Sequence, residues 1–335
     1  MPGLDFRLDR RAGYKAFHSL ELAIGDCDPA YPALKYVARK LNLSTEQRYW
    51  LAWLYSLSYC GATAYYMFSE FPFYEDVDTR RLESWWARNK KRCLFQTDRA
   101  KVKNFDKIVP MFNSYRRLCG GSQEATYAEC IGGSPEEAYN RVYAKMSNLY
   151  YFGRFSLFLL LESVHELTDF PMIPTGLDLK NADSCRNGLC FALGKDNWLG
   201  NQLRKDQYAY LDDQLGLLTQ ELVTEYPQFK HTIWNVETTL CAYKKLFPPY
   251  QKRYLGYYID RMQAELITMQ RAVPELNWAI LWDFRREYFP NFALGEYHDW
   301  QGPRKSETTR MMRTGRLHKL DIPIKKLTKE AILWQ

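Results

Sequence analysis

Apolar residues recur at three- and four-residue spacing along most of the chain, a period that predicts helices. Ser44 followed by Gln47 reads as a capping box, and the next segment, EQRYWLAWLYSLSYCGATAYYMFSEF, is apolar almost all round until Pro72 stops it. A helix that apolar belongs at the centre of a core. Asp78 can cap a second helix, RRLESWWARNKKR, whose basic side faces water or a phosphate backbone. Ser134-Pro135-Glu136-Glu137 combines an N-cap, a first-turn proline and a capping-box glutamate, and opens EEAYNRVYAKMSNLY. A tight turn at Gly153 starts an apolar helix that reaches about Leu167, and further helices are predicted at 205–225, 231–246, 250–272 and 275–288. The stretches 119–133 and 173–200 read as loops within the fold, and strand-like alternation is scarce apart from IPIKKL near the C-terminus. The pattern predicts an all-α fold, with one large helical domain over 1–298 and a basic arm over 299–335 packed on it or on DNA.

Composition narrows the class. The 335 residues are 46% hydrophobic and 16% aromatic, above what a disordered chain carries. No apolar run approaches the roughly 18 residues a membrane span needs. The opening MPGLDFRLDRRAGYKAF mixes charges of both signs and is not a secretory signal. Eight cysteines without a close CxxC pair read as reduced thiols, so a cytoplasmic setting is expected, the host cytoplasm if the chain is phage-encoded. The five histidines lack metal spacing and read as structural, and neither metal nor cofactor is expected.

Charge adds a partner. The net charge is +7, but residues 80–117 hold twelve Lys/Arg against three acids, and residues 304–329 hold nine against two. Two basic blocks on an otherwise acidic body are the footprint expected for a polyanion. Trp85, Trp86, Phe95, Phe105, Phe112 and Tyr115 interleave with the first block, and rings beside cations suit nucleic-acid bases. DNA is the expected partner, with Lys90, Lys91, Arg92, Lys103 and Arg116 as its contacts.

Two resemblances sharpen this. Gly153 ahead of an apolar helix, with Asp178, Asp183 and Arg186 about two dozen residues after it, resembles the helix-hairpin-helix DNA glycosylases. In those enzymes a glycine hairpin grips phosphates through backbone N–H groups, and an aspartate sits at the flipped base. Phe155 stands near where the bifunctional members carry a catalytic lysine, which argues against a lyase. Over most of the chain, QTDRAKVKNFDKIVPMFNSYRR (96–117), YFGRFSLFLLLE (151–162), LDLKNADSCRNGL (177–189) and RYLGYYIDRM (253–262) resemble the phage amino acid or putrescine:DNA transferases. These are also called alpha-glutamyl/putrescinyl thymine pyrophosphorylases. The resemblance implies that a 5-hydroxymethyluracil of phage DNA, activated as a pyrophosphate ester, exchanges its pyrophosphate for an amine. The co-substrate is then a free amino acid or a polyamine, and the product is a hypermodified thymine carrying a new C–N bond at the 5-methylene.

Such a reaction assigns work to residue types. A polyanionic leaving group needs cations, for which Arg99, Lys101, Arg154 and Arg186 are candidates. An amine nucleophile must lose a proton, and Asp178 or Asp183 can take it, with Asp98 and Asp260 in reserve. Arg261 can hold an amino acid's carboxylate in a fork, and Tyr151, Tyr257 or Tyr258 can stack on an extruded base. Each has a plainer reading: Asp98 after Thr97 as a helix cap, Asp260 and Arg261 as helix-surface charges, the tyrosines as core bulk. A glycosylase would release free base, and a non-catalytic DNA-binding protein would tolerate alanine at Asp178, Asp183 and Arg186. The absence of a Walker loop argues against a kinase.

Overall fold

A computed structural model describes residues 4–97, 100–103, 107–200, 202–294 and 301–317. Among them the chain is helical, with no strand: α1 (Arg10–Ala23), α2 (Ala30–Lys40), α3 (Thr45–Ser58), α4 (Gly61–Glu70), α5 (Thr79–Asn89), α6 (Ile108–Cys119), α7 (Gln123–Ala128), α8 (Pro135–Met146), α9 (Arg154–Thr168), α10 (Asp183–Ala192), α11 (Lys205–Glu225), α12 (Ile233–Tyr243), α13 (Tyr257–Ala272), α14 (Ala279–Tyr288) and α15 (Gln301–Thr314). The all-α expectation holds. The chain forms two compact units, one of residues 1–29, 176–264 and 286–335, the other of residues 30–175 and 265–285.

The second unit is built around α3. Ten consecutive residues of this helix, Tyr49–Ser58, are buried, as its all-round apolarity requires. The Ser44–Gln47 capping box is present, with Ser44 Oγ accepting the Gln47 N–H at 3.3 Å and Gln47 Oε1 accepting the Ser44 N–H at 3.0 Å. Helix α9 lies along α3, and aromatic rings fill the remaining space. Trp50 stacks on Trp53 at 4.9 Å, Trp53 on Tyr115 at 5.1 Å and Tyr49 on Tyr127 at 4.5 Å, close pairs that add to plain burial. The single helix expected over 46–71 is in fact two. Tyr59 takes a left-handed conformation (φ 53°) and ends α3, and α4 starts after Cys60. Both helices are buried on all sides, so hydrophobicity carries no mark of the break.

In the first unit α10 crosses α12 at Gly188, where a Cβ would stand 2.5 Å from the Leu240 carbonyl carbon and 3.0 Å from its Cα. Only glycine permits that approach. Helix α1 is tied to α11 by Arg11–Glu221 at 2.7 Å and Lys15–Glu221 at 3.1 Å. It meets α12 through a buried chain in which Tyr14 Oη and His18 Nδ1 contact Thr239 Oγ1 at 3.0 and 2.8 Å, and His18 Nε2 contacts His231 Nδ1 at 3.0 Å. Burial holds the His18 pKa down to about 3, so this imidazole is neutral.

Several expected boundaries move. The stretch 173–200 contains α10, and 119–133 contains α7. The helix expected over 250–272 begins only at Tyr257. Within the expected C-terminal arm, residues 301–314 form α15, where Thr308 and Met311 are buried and Arg7 donates to the Met312 carbonyl at 2.6 Å. The IPIKKL segment lies outside the described residues.

Candidate active site and basic surface

In the second unit, α8 and α9 form a hairpin around the turn 147–153. Leu149 and Phe152 are buried and anchor it, and Ser114 Oγ accepts the Tyr150 N–H at 2.9 Å. The left-handed residue of the turn is Tyr151 (φ 61°), whereas Gly153 is extended and serves as the N-cap of α9 without any side-chain cap. A Cβ at Gly153 would meet nothing within 4 Å, so the backbone there lies in open space. The consequence is an outward pair of rings: Tyr150 and Tyr151 are 40% and 43% exposed with centroids 4.5 Å apart, and the Lys107 ammonium lies 4.8 Å from the Tyr151 ring. Arg154, in the first turn of α9, is half-buried and has no hydrogen-bond or ion-pair partner among the described residues.

The basic block divides by what its side chains already hold. Lys91 is exposed, and Lys103 sits 5.9 Å from the Phe95 ring. Lys90 is half-exposed in the short 3-10 turn that follows α5. Arg92 is committed to the protein: it donates to the Ala272 carbonyl at 2.7 Å, Asn89 at 3.0 Å and Tyr66 Oη at 3.1 Å, and pairs with Glu275 at 2.5 Å. Arg116 likewise donates to the Val77 carbonyl at 2.8 Å and lies 4.6 Å from the Phe112 ring. Asp98 and Arg99 lie outside the described residues, and of Lys101 only the backbone is described, in a short 3-10 turn.

In the first unit, Asp178 and Asp183 are both exposed. Asp178 has a positive φ of 44°, and its carboxylate accepts from Asn181 Nδ2 at 2.9 and 3.1 Å. Asp183 opens α10 and pairs with Arg186 at 2.7 Å. Arg186 is only 4% exposed and also donates to the Leu179 and Lys180 carbonyls at 3.2 Å. It braces the loop that carries Asp178, a task invisible in a sequence where this stretch reads as a loop.

The same unit holds a buried group of charges at the end of α1 and the start of α13. Glu21, Asp26 and Asp260 are 1%, 0% and 0% exposed, and Arg253 and Arg261 are each 7% exposed. Asp26 accepts the N–H groups of Gly256 and Ile259, both at 2.8 Å. Tyr254 donates to Asp260 at 2.6 Å. The Arg253 guanidinium lies 3.7 Å from the Tyr257 ring and 4.1 Å from the Tyr258 ring, and donates to Tyr258 Oη at 2.9 Å. Burial pushes Asp26 up to about 7; burial and the neighbouring Asp26 raise Glu21 well above the usual carboxylate range. Of the residues expected from the sequence, Tyr257, Asp260 and Arg261 fall in this group. Glu21, Asp26 and Arg253 were missed, although an acid among the apolar positions of LELAIGD is a visible signal.

Among the described residues no group of three His, Cys, Asp or Glu side chains could hold a metal ion, and no helix is long and apolar enough to cross a membrane. The eight cysteines are thiols, with none joined in a disulfide.

The helical chain thus carries an exposed ring–cation surface in its second unit and a buried acid–arginine group in its first. The chain belongs to the amino acid:DNA transferase family, whose model matches residues 23–251. That region includes Asp26, the α8–α9 hairpin and α10, and ends two residues before Arg253. The chain is also similar to a serinyltransferase of Salmonella phage ViI, at 26% identity over 271 residues, covering 75% of this chain and 66% of that protein. It therefore spans just under two thirds of that relative's length. No solved structure matches it.

Proposed function

We propose that this protein is a DNA-modifying transferase that replaces the pyrophosphate of 5-pyrophosphomethyluracil in phage DNA with an amino acid. Family membership supports the substrate pair, DNA and an amino acid. The observation that carries the reading furthest is the α9 start, where two exposed tyrosines, a partnerless Arg154 and open backbone at Gly153 stand together among the described residues. Helix N-termini and arginines attract phosphate oxygens, and exposed rings stack on bases taken out of the helix. In this reading Lys90, Lys91 and Lys103 contact the DNA backbone, while Arg92 and Arg116 shape the surface that presents them. Arg154, with Arg99 and Lys101, neutralises pyrophosphate; Arg186 acts by bracing its loop. Asp178 or Asp183 takes the proton of the incoming amine, with Asp98 as the third candidate.

In the step itself the amine nitrogen bonds to the 5-methylene carbon, and the C–O bond to pyrophosphate breaks with its electron pair on the leaving oxygen. The test is mass spectrometry of nucleosides from DNA carrying 5-pyrophosphomethyluracil after incubation with the protein and a mixture of amino acids and polyamines. A thymidine enlarged by one amino acid is expected, and its fragments tell an N-linked from an O-linked product, a distinction that matters for a hydroxyl amino acid such as serine. A polyamine adduct would change the co-substrate class. Unchanged nucleosides would overturn the transferase reading, and free base in the supernatant would replace it with a glycosylase.

A further inference from the structure

The second unit holds a cavity of about 380 Å³ to which the proposed reaction assigns no task. It lies between the C-terminal ends of α4 and α5 and the segment 273–276 that follows α13. Its frame is fixed, because the polar groups of that frame satisfy one another. Arg92 reaches the Ala272 carbonyl, Tyr66, Asn89 and Glu275. Tyr66 in turn donates to Asn89 Oδ1 at 2.9 Å, and Asn89 Nδ2 donates to the Trp85 carbonyl at 3.0 Å. The Tyr66 and Trp85 rings, with centroids 5.1 Å apart, and Leu276 give the lining its apolar part. Beyond this frame, Arg88 also lines the cavity, and its exposed guanidinium has no hydrogen-bond or ion-pair partner among the described residues. Glu70 gives one oxygen to Arg81 at 2.7 Å, and Glu275 gives one to Arg92 at 2.5 Å. A carboxylate has room for about four hydrogen bonds, so both acids keep acceptor capacity.

We propose that this cavity takes one unstacked base of the DNA strand, guanine in preference to the others, with the phosphate of that nucleotide on Arg88. The inference rests on DNA being the partner and goes beyond the transferase reading, since it concerns a base that is not modified. The volume is that of a small-ligand site, and rings with a few placed polar groups are the usual lining of one. A flat ring suits the Tyr66–Trp85 side, and the acids select among flat rings by their edges. Guanine sets two adjacent donors, N1–H and the 2-amino group, where the two oxygens of one carboxylate can accept them. Adenine and cytosine bring a single amino group. Thymine brings one N–H between two carbonyl oxygens, which a carboxylate repels. Lys90 and Lys91 follow Asn89 directly in the chain, so a strand held by those lysines passes close to the cavity. An inorganic anion would be repelled by Glu70 and Glu275, a polyamine by Arg88, and a free amino acid such as serine would leave the aromatic side unfilled. The cavity gives the protein a means of reading one base of the strand, in the same unit as the α8–α9 hairpin.

Fluorescence anisotropy of the full chain with short oligothymidylates, each carrying one central guanine, inosine, adenine, cytosine, thymine or abasic residue, tests the proposal. Wild type should bind the guanine strand at least about fivefold more tightly than the thymine or abasic strand, the lower end of what one bidentate pair discriminates. Inosine, which lacks the 2-amino group, should lose most of that preference. This arm needs no variant, so it stands even if one fails to fold. Leu276→Trp, which fills the cavity and removes no charge, should abolish the preference, and so should Glu70→Gln or Glu275→Gln. Arg88→Ala should weaken every strand alike and flatten the salt dependence by about 0.7 unit of logarithmic slope, the value for one phosphate of a single strand. Equal affinity for guanine, thymine and abasic strands, or a preference that survives Leu276→Trp or both glutamine variants, would overturn the proposal. Free dGMP competing as well as the guanine strand would assign the cavity to a free nucleotide and overturn DNA as its source, and competition by L-serine but not by dGMP would overturn the base altogether. A guanine preference without any modified nucleoside would sink the transferase and leave the cavity's role standing. Modified nucleosides from a protein indifferent to the central base would do the reverse.

Discussion

Replacing Gly188 by alanine is the sharpest test of how the first unit is assembled. The new Cβ would lie 2.5 Å from the Leu240 carbonyl carbon, 3.0 Å from its Cα and closer still to its oxygen. The obstacle is the backbone of α12, so no side chain can rotate out of the way, and the two helices must part by about 1 Å to reach ordinary van der Waals separation. Overpacking of this kind costs about 3 kcal/mol, at the upper end for a small-to-large change. Alanine returns about 1 kcal/mol through its better helix propensity, leaving a net loss of about 2 kcal/mol. For a unit of this size that lowers the melting temperature by about 4–8 °C. Gly216, in the middle of α11 with nothing within 4 Å of a Cβ, is the internal control: alanine there should stabilise by about 1 kcal/mol. Thermal unfolding followed by circular dichroism reads both variants. Activity should fall with Gly188→Ala, since α10 carries Asp183 and Arg186. If Gly188→Ala melts at or above Gly216→Ala, the close crossing of α10 and α12 is not as described.

Three further outcomes are expected. Alanine at Lys90, Lys91 and Lys103 should weaken DNA binding and flatten its dependence on salt by about one unit of logarithmic slope for each phosphate no longer neutralised, measured by anisotropy across a salt series; an unchanged slope removes these lysines from the interface. Asp178→Ala or Asp183→Ala should abolish nucleoside modification while DNA affinity stays within a few-fold, and full activity in both would move the proton acceptor elsewhere. Glu221, held down to about 2 by hydrogen bonds from Arg11 and Lys15, contributes stability that is present above the ordinary glutamate range and disappears as pH falls towards 2. Glu221→Gln should therefore melt below wild type at pH 7 and converge with it at low pH, and a constant gap across that range contradicts the assignment.

Much of the helical plan was legible from local signals. Helix α11 starts and ends where its pattern said, Ser44, Asp78 and Ser134 cap the helices they announced, and α3 is central because a helix apolar on every side has no face for water. These features depend on neighbours within a turn or two of chain. The break at Tyr59, the helix hidden in 183–192 and the crossing at Gly188 depend on what packs against them, and hydrophobic period is silent about that. The site divides the same way. Residue chemistry alone pointed to Asp260, Arg261 and Tyr257 as candidate amine or base contacts, with helix-surface charges as the plainer reading of Asp260 and Arg261. Burial to 0% and 7%, and the meeting of α1 with α13 across more than two hundred residues, turned them into one group with Glu21, Asp26 and Arg253. Arg92, Arg116 and Arg186 show the converse, cations whose nearest anions and carbonyls come from the fold. The sequence by itself determined which side chains exist to bind phosphate, base and amine. Only the tertiary structure decided which are already engaged, because engagement is a matter of distances between segments that the chain brings together by folding.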